Sequence, residues 1–337
     1  NMIIQLEQDI TQKQREEIIK KVNGLKYSTT EVKTQVGDYL IGIGKSEFDI
    51  REIGFMPGIS DIHIVSDSYK LVSRKWKVDP TIIDLGDGVK IREGELAIMT
   101  GPCSIEGEEQ IVQTIQHLKD NGVRMMRGGV FKPRSSPYSF RGMGLEGLKL
   151  WHKYAQEAGI KIVTEVMQVS QIEEMHDYVD IYQVGARNTQ NFNLLDELGK
   201  VDKAVMIKRG ISGTVDELLY SAEYVFSGGN EKLMLCERGI RTYENSTRNT
   251  LDLNAIPVLK DKTHLPVIAD PSHGIGIRKY VEPMALASIM AGADGVIYES
   301  HCIPEEAYSD GQQTLDFRES SDLIRKMRMT HALKSNF

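Results

Sequence analysis

The chain has 337 residues, 40% apolar and 26% charged, with a formal net charge of −7, which suits a soluble globular protein of one large and one small domain. The acidic balance argues against nucleic-acid binding, and no run of about 18 apolar residues marks a membrane span. Asn1-Met2-Ile3 opens without a basic segment and apolar core, and the cysteines Cys103, Cys236 and Cys302 cannot all pair within one chain, so a reducing, cytoplasmic setting is expected.

Residues 1–66 are expected to form a small α+β domain. Ile3, Ile4 and Leu6 suit a strand, and residues 10–22 an amphipathic helix that stops near Asn23-Gly24. Strands at 31–35 and 39–43 would turn at Gly37-Asp38, Ser46 would cap a short helix through Ile53, and 58–65 alternates as a last strand. The order βαββαβ is ferredoxin-like. Such a unit offers an exposed sheet face or edge that can pair with another copy of itself. Residues 67–93 are a connector in which Asp87-Gly88 marks a β-hairpin.

From 94 to 337 short apolar segments alternate with helical ones. The segments are 96–100, 123–126, 161–165, 181–184, 204–207, 233–235, 266–269 and 295–298. Capping boxes at Ser170/Glu173 and Thr214/Glu217, and stops at Asn121-Gly122 and Gly199, punctuate the helices. This is the count and length of a (β/α)₈ TIM barrel, with a doubly wound open sheet as the competing architecture. The strand ends read Gly101-Pro102-Cys103, Arg127-Gly128-Gly129, Glu165, Gly185-Ala186-Arg187, Lys208-Arg209-Gly210, Glu237-Arg238-Gly239, Asp270-Pro271-Ser272-His273 and Glu299. Each strand delivers a polar or ionisable group at the end where a barrel builds its site.

Arg127, Lys132, Arg187, Lys208 and Arg238 would converge on one mouth. Cations brought together repel unless anions sit between them, and phosphate or carboxylate is the natural partner. Taken singly, each could be a rim salt bridge. The stretch from Arg127 to Gly142 adds a glycine pair and a Lys132-Pro133-Arg134-Ser135-Ser136 loop, stiffened by Pro133 and Pro137, which suits a phosphorylated anion. Cys103, His273, Glu299 and Asp310 offer a thiolate, an imidazole and two carboxylates, a set for Mn²⁺, Fe²⁺, Co²⁺ or Zn²⁺. Singly, Cys103 is a buried thiol and His273 a loop histidine. Residues 142–147, GMGLEG, match the dinucleotide fingerprint but follow a long loop rather than a strand, so a nucleotide is not expected.

The motifs GPCSIEG, RGGVFKPRSSPYSFRGMG, QVGARNTQNF, IKRG, LCERGIRTYE and DPSHGIG, in this order, resemble those of 3-deoxy-D-arabino-heptulosonate-7-phosphate (DAHP) synthases. The likeness covers the barrel and is to the branch that includes 3-deoxy-manno-octulosonate-8-phosphate synthases. Residues 1–66 resemble, more weakly, the ferredoxin-like regulatory domain of some members. The resemblance implies a metal-dependent transferase that condenses phosphoenolpyruvate with erythrose 4-phosphate, releasing phosphate, at the first step of the shikimate pathway to aromatic amino acids. It implies that Arg127, Lys132, Arg187, Lys208 and Arg238, with the backbone of Gly185 and Ala186, hold phosphoenolpyruvate. Arg134, Ser135, Asp270 and Arg278 would hold erythrose 4-phosphate, and Cys103, His273, Glu299 and Asp310 the metal. Lys132 would protonate the developing alkoxide, and Glu165 would position or deprotonate the water. A homotetramer with feedback control by an aromatic amino acid is expected. The rival acceptor is arabinose 5-phosphate, whose enzymes carry a KANRS-type loop where this chain has KPRSS. A catalytically silent regulatory barrel is the rival from another class.

Overall fold

The computed structural model describes residues 1–337. The first unit contains β1 (Met2–Leu6), α1 (Gln12–Gly24), β2 (Ser28–Lys33), β3 (Asp38–Ile43), α2 (Arg51–Gly54) and β4 (Ile59–Ile64). Its antiparallel sheet runs β2-β3-β1-β4, the ferredoxin-like order. Helix α1 starts at Thr11, whose hydroxyl and the Gln14 side chain satisfy each other's backbone amides. Strand β2 lies earlier than expected because the Thr34 hydroxyl accepts from the amides of Val36 and Gly37 and starts the turn there. Ser46 caps no helix: its carbonyl accepts from the Tyr27 hydroxyl, and Asp49 instead accepts the Arg51 amide at the start of α2.

Alternation sends Met2, Ile4, Leu6 and Leu40 under the helices, against Ile18, Val22 and Ile53. Ile3, Val32, Tyr39 and Ile41 point the other way and join the large core of the barrel. Of the exposed face or edge expected, the face is therefore covered, and the outer edges of β2 and β4 stay unpaired. Tyr39 packs edge-on against Trp76 and Phe226. Its hydroxyl and that of Thr34 donate to one oxygen of Glu231, at 3.1 and 2.6 Å. Glu231 is 4% exposed, so those donors replace lost water.

The connector contributes β5 (Ile83–Asp84) and β6 (Lys90–Ile91), paired as a hairpin with Asp87 and Gly88 at positive φ. Ile83, Val89 and Ile91 pack on Ala97, Met125, Ile181 and Ala204, residues at the beginnings of barrel strands. The hairpin thus plugs the N-terminal end of the barrel.

The barrel elements are β7 (Ala97–Gly101), α3 (Glu108–Asp120), β8 (Met125–Gly128), α4 (Gly144–Glu157), β9 (Lys161–Glu165), α5 (Val169–Met175), β10 (Ile181–Val184) and α6 (Phe192–Leu198). They continue as β11 (Ala204–Lys208), α7 (Val215–Ser227), β12 (Leu233–Glu237), α8 (Ala255–Lys262), β13 (Val267–Ala269), α9 (Pro271–Ile275), α10 (Arg278–Ala291), β14 (Gly295–Glu299) and α11 (Phe317–Lys334). All eight barrel strands are parallel and the sheet closes on itself between β14 and β7, which excludes the open doubly wound alternative. At the closure an added Cβ on Gly295 would lie 2.7 Å from the Ala97 carbonyl oxygen, so only glycine fits. The Thr214/Glu217 box and the Asn121 and Gly199 stops are present. The Ser170/Glu173 box is not: Gln168 and Gln171 cap each other at α5 instead. The GMGLEG segment opens α4 after the loop 129–143, away from any strand end. No helix is long and apolar enough to cross a membrane.

Ile91 is fully buried in the plug. Ile91→Ala should lower unfolding stability by about 2–5 kcal/mol, read as a lower urea midpoint at unchanged slope. An unchanged midpoint would show that the hairpin does not close the barrel core.

Candidate active site

The C-terminal ends of the strands form one polar network. Helix α9 begins with Asp270, whose Oδ1 accepts the His273 amide at 3.0 Å, and Pro271 occupies the first turn, where a missing amide costs nothing. This short helix places the His273 Nδ1 2.7 Å from Asp270 Oδ2. With Nδ1–H held by a carboxylate, Nε2 keeps its lone pair. That atom lies 3.1 Å from Glu299 Oε1 and 3.8 Å from Asp310 Oδ2. The Cys103 thiol lies 3.4 Å from Asp310 Oδ2. Ligand atoms of Cys103, Glu299 and Asp310 all fall within 4.8 Å of one another. Three of the expected metal ligands therefore meet, and His273 borders them through Glu299 and Asp310; thiol, imidazole and carboxylate donors are a set that fits a divalent transition ion.

Glu299, last residue of β14, is fully buried. Its Oε2 accepts from Gln313 Nε2 and Thr314 Oγ1, each at 3.2 Å, and Oε1 from Arg127 Nη1 at 3.3 Å. Burial, with the Glu299 charge added, pushes the Cys103 thiol up to about 11; Lys132 and Arg127 oppose the shift. A cation bound there would reverse that shift.

The cations surround this cluster. Lys132 Nζ donates to Cys103 O at 3.0 Å and Sγ at 3.1 Å. Lys208 Nζ donates to Asp270 Oδ2 at 2.5 Å. Burial alone would raise the Asp270 pKa, but His273 and Lys208 overcome it and hold the carboxyl well below its usual range. Arg238, 8% exposed, makes no hydrogen bond, and burial lowers its pKa despite Asp270. Arg187 is exposed and donates to Pro133 O at 3.1 Å, tying loop 129–143 to the end of β10. The Nε of Arg127 is the one buried side-chain polar atom with no partner. A buried guanidinium nitrogen without an acceptor is costly, and an anion entering the mouth would satisfy it. Glu165 ends β9, its carboxylate directly over Gly185: an added Cβ on Gly185 would lie 2.1 Å from Oε1.

Other expected residues stand apart. Arg134 and Ser135 are exposed on loop 129–143. Asp270, by contrast, lies within the network, with both oxygens engaged by His273 and Lys208. Arg278 lies among Glu305, Asp316 and Glu319 and does not contact the cluster. Sequence reasoning missed Arg248, which donates to Gln313 Oε1 at 2.7 Å and lies 3.5 Å from Asp310 Oδ1. It also missed Gln313 and Thr314, whose place just after Asp310 was the only signal.

Residues 78–335 match the DAHP synthetase I family. A phospho-2-dehydro-3-deoxyheptonate aldolase of Thermotoga maritima is 48% identical over 260 residues, 77% of this chain and 77% of that one. The crystal structure of a DAHP synthase from T. maritima matches with a TM-score of 0.78 at 41% identity, over 99% of this chain and 98% of that one. A truncated form of 3-deoxy-D-arabino-heptulosonate 7-phosphate synthase from that organism matches with a TM-score of 0.74 at 44% identity, covering 80% and 98%. A 2-dehydro-3-deoxyphosphooctonate aldolase of Acidithiobacillus ferrooxidans is 29% identical over 257 residues, 71% of this chain and 90% of that one. The match spans the whole barrel with its strand-end residues, and the likeness to a solved DAHP synthase extends over the N-terminal unit: the chain belongs to the DAHP synthetase I family.

Proposed function

We propose that this protein condenses phosphoenolpyruvate with erythrose 4-phosphate to DAHP and inorganic phosphate, opening the shikimate pathway. The unpartnered Nε of Arg127, whose Nη1 contacts Glu299 of a metal-ligand set, carries this reading. Phosphoenolpyruvate lies with its anionic groups on Arg127, Lys132, Arg187, Lys208 and Arg238, with Gly185 and Ala186 lending backbone contacts. Its methylene carbon attacks the aldehyde, a C–C bond forms, water captures the cationic central carbon, and phosphate leaves. Cys103, His273, Glu299 and Asp310 hold a divalent ion, Mn²⁺, Fe²⁺, Co²⁺ or Zn²⁺, which supplies Lewis-acid polarisation of the aldehyde oxygen. Lys132 donates a proton to the developing alkoxide, and Glu165 orients the water or takes its proton. Asp270 keeps the His273 imidazole turned and accepts a hydrogen bond from Lys208. The silent-barrel alternative leaves the gathered site residues without a purpose.

The KPRSS loop favours the four-carbon acceptor, so turnover should be faster with erythrose 4-phosphate than with arabinose 5-phosphate; the reverse order would reject this assignment. Arg134→Ala should raise the KM of the acceptor about 10- to 100-fold, about 1.4–3 kcal/mol for a lost charged contact. An unchanged acceptor KM would place that arginine elsewhere.

Chelation should abolish turnover, and Cys103→Ala or His273→Ala should lose both metal and activity, as elemental analysis and phosphate release would read. Full activity of protein shown to be metal-free would remove the metal from the reaction.

Residues 1–66 contain none of the site residues, and we assign them a regulatory role, with tyrosine or phenylalanine as effector in a homotetramer of cytoplasmic protein. A shortened chain starting near Lys70 should stay active and lose inhibition. In the full chain the coupling should be about 1–3 kcal/mol, a roughly 5- to 150-fold shift in substrate affinity if it acts through binding. Equal activity with and without saturating aromatic amino acids would leave this unit a purely structural part.

A further inference from the structure

Two of the four metal ligands lie on stretches with little regular structure of their own. His273 sits on the short helix α9, and Asp310 on the segment 300–316 between β14 and α11. Asp310 adopts a left-handed backbone, φ +49°, which a non-glycine residue keeps only when its surroundings hold it there. One edge of its segment is fastened to the β7–α3 loop: Tyr308 N donates to Glu106 Oε1 at 2.8 Å, and the Ser104 and Ser309 hydroxyls lie 2.6 Å apart. The other edge faces α10, and there a single residue makes the side-chain bonds. Arg278, five residues beyond His273, donates through Nε to Glu319 Oε1 at 2.7 Å, through Nη1 to Glu305 Oε1 at 2.8 Å and through Nη2 to Asp316 Oδ2 at 3.2 Å. Glu305 precedes Asp310, while Asp316 and Glu319 follow it. The last two also form the capping box of α11, so the guanidinium grips the start of that helix.

We propose that Arg278 is a positioning residue that holds the Asp310 segment in register with the His273 segment, and so sets the affinity for the metal ion. Its planar fork reaches carboxylates on both sides of Asp310, which a lysine ammonium could not do in the same way. Three carboxylates around one guanidinium leave an acidic surplus that disfavours an acceptor phosphate at this spot. The inference rests on the metal-site reading above. It differs from the family-based expectation that Arg278 binds the acceptor.

The test is Mn²⁺ titration of the full-length metal-free protein by equilibrium dialysis, with thermal melting recorded in chelator. Arg278→Ala should weaken Mn²⁺ binding about 10-fold, the low end of the loss when a group that bonds a metal ligand directly is removed, because Arg278 acts one step further out, with phosphoenolpyruvate binding to the metal-free protein unchanged. Arg278→Lys should show a smaller loss in the same direction. A lower melting temperature with unaltered Mn²⁺ affinity would make the arginine a stability element only and overturn the proposal. A raised acceptor KM with unaltered Mn²⁺ affinity would return it to the acceptor site. Should Arg278→Ala not fold, Arg278→Lys and Glu305→Gln, whose carboxylate is 70% exposed, decide the matter: wild-type Mn²⁺ affinity in both overturns it. Asp310→Asn separates the two readings, because wild-type Mn²⁺ affinity in that variant sinks the metal site itself.

Discussion

A carboxylate sealed from water has to be answered by the protein, and Glu299 sets that constraint for the whole mouth of the barrel. Arg127 takes one oxygen, Gln313 and Thr314 the other, and His273 is turned toward it by Asp270. Asp270 in turn leans on Lys208. Positive and negative groups alternate through the network, which lets so many charges share a low-dielectric space. Remove one and its neighbour is left buried and unanswered, a cost of about 3–5 kcal/mol for a buried pair. The same alternation leaves Arg127 Nε and Arg238 as the parts still in need of an anion.

Much of this was legible in the chain. Period and punctuation marked all eight barrel strands, because each is a short apolar run closed by a polar residue, and βαβ units bury strands on both faces. The gathering of Cys103, His273, Glu299 and Asp310 was legible only as strand-end chemistry and through resemblance, since no short spacing joins them. What escaped was partnership. Nothing near Asp270 says that its oxygens are engaged by His273 and Lys208, and nothing near Arg278 names Glu305, Asp316 and Glu319. Apart from His273, three residues from Asp270, those partners come from other barrel units, and sequence distance hides them. Ser170 looked like a cap because serine favours that position. A glutamine pair two residues upstream won instead, since the chain entered the helix earlier.

The N-terminal unit shows the same limit. Alternation in β1 and β3 was visible, but both faces carry apolar residues, and only the fold tells which face meets its own helices and which meets α7. Tyr39 is the hinge of that distinction: its ring lies among Trp76 and Phe226 while its hydroxyl answers the buried Glu231. A ferredoxin-like sheet with a bare face would be a sticky surface, and packing that face on the barrel leaves two short edges instead.

The β5–β6 hairpin has a kinetic meaning as well as a structural one. It seals the lower end of an interior already filled by Met99, Val163, Met206, Met234, Ile268 and Ile297, so the site opens only at the other rim. Everything the site exchanges must then pass through the same opening, past the loop that carries Lys132 and Arg134. A molecule seated against Arg127 and Glu299 lies below one seated on that loop. A guest held on that loop therefore stands across the path to the buried position.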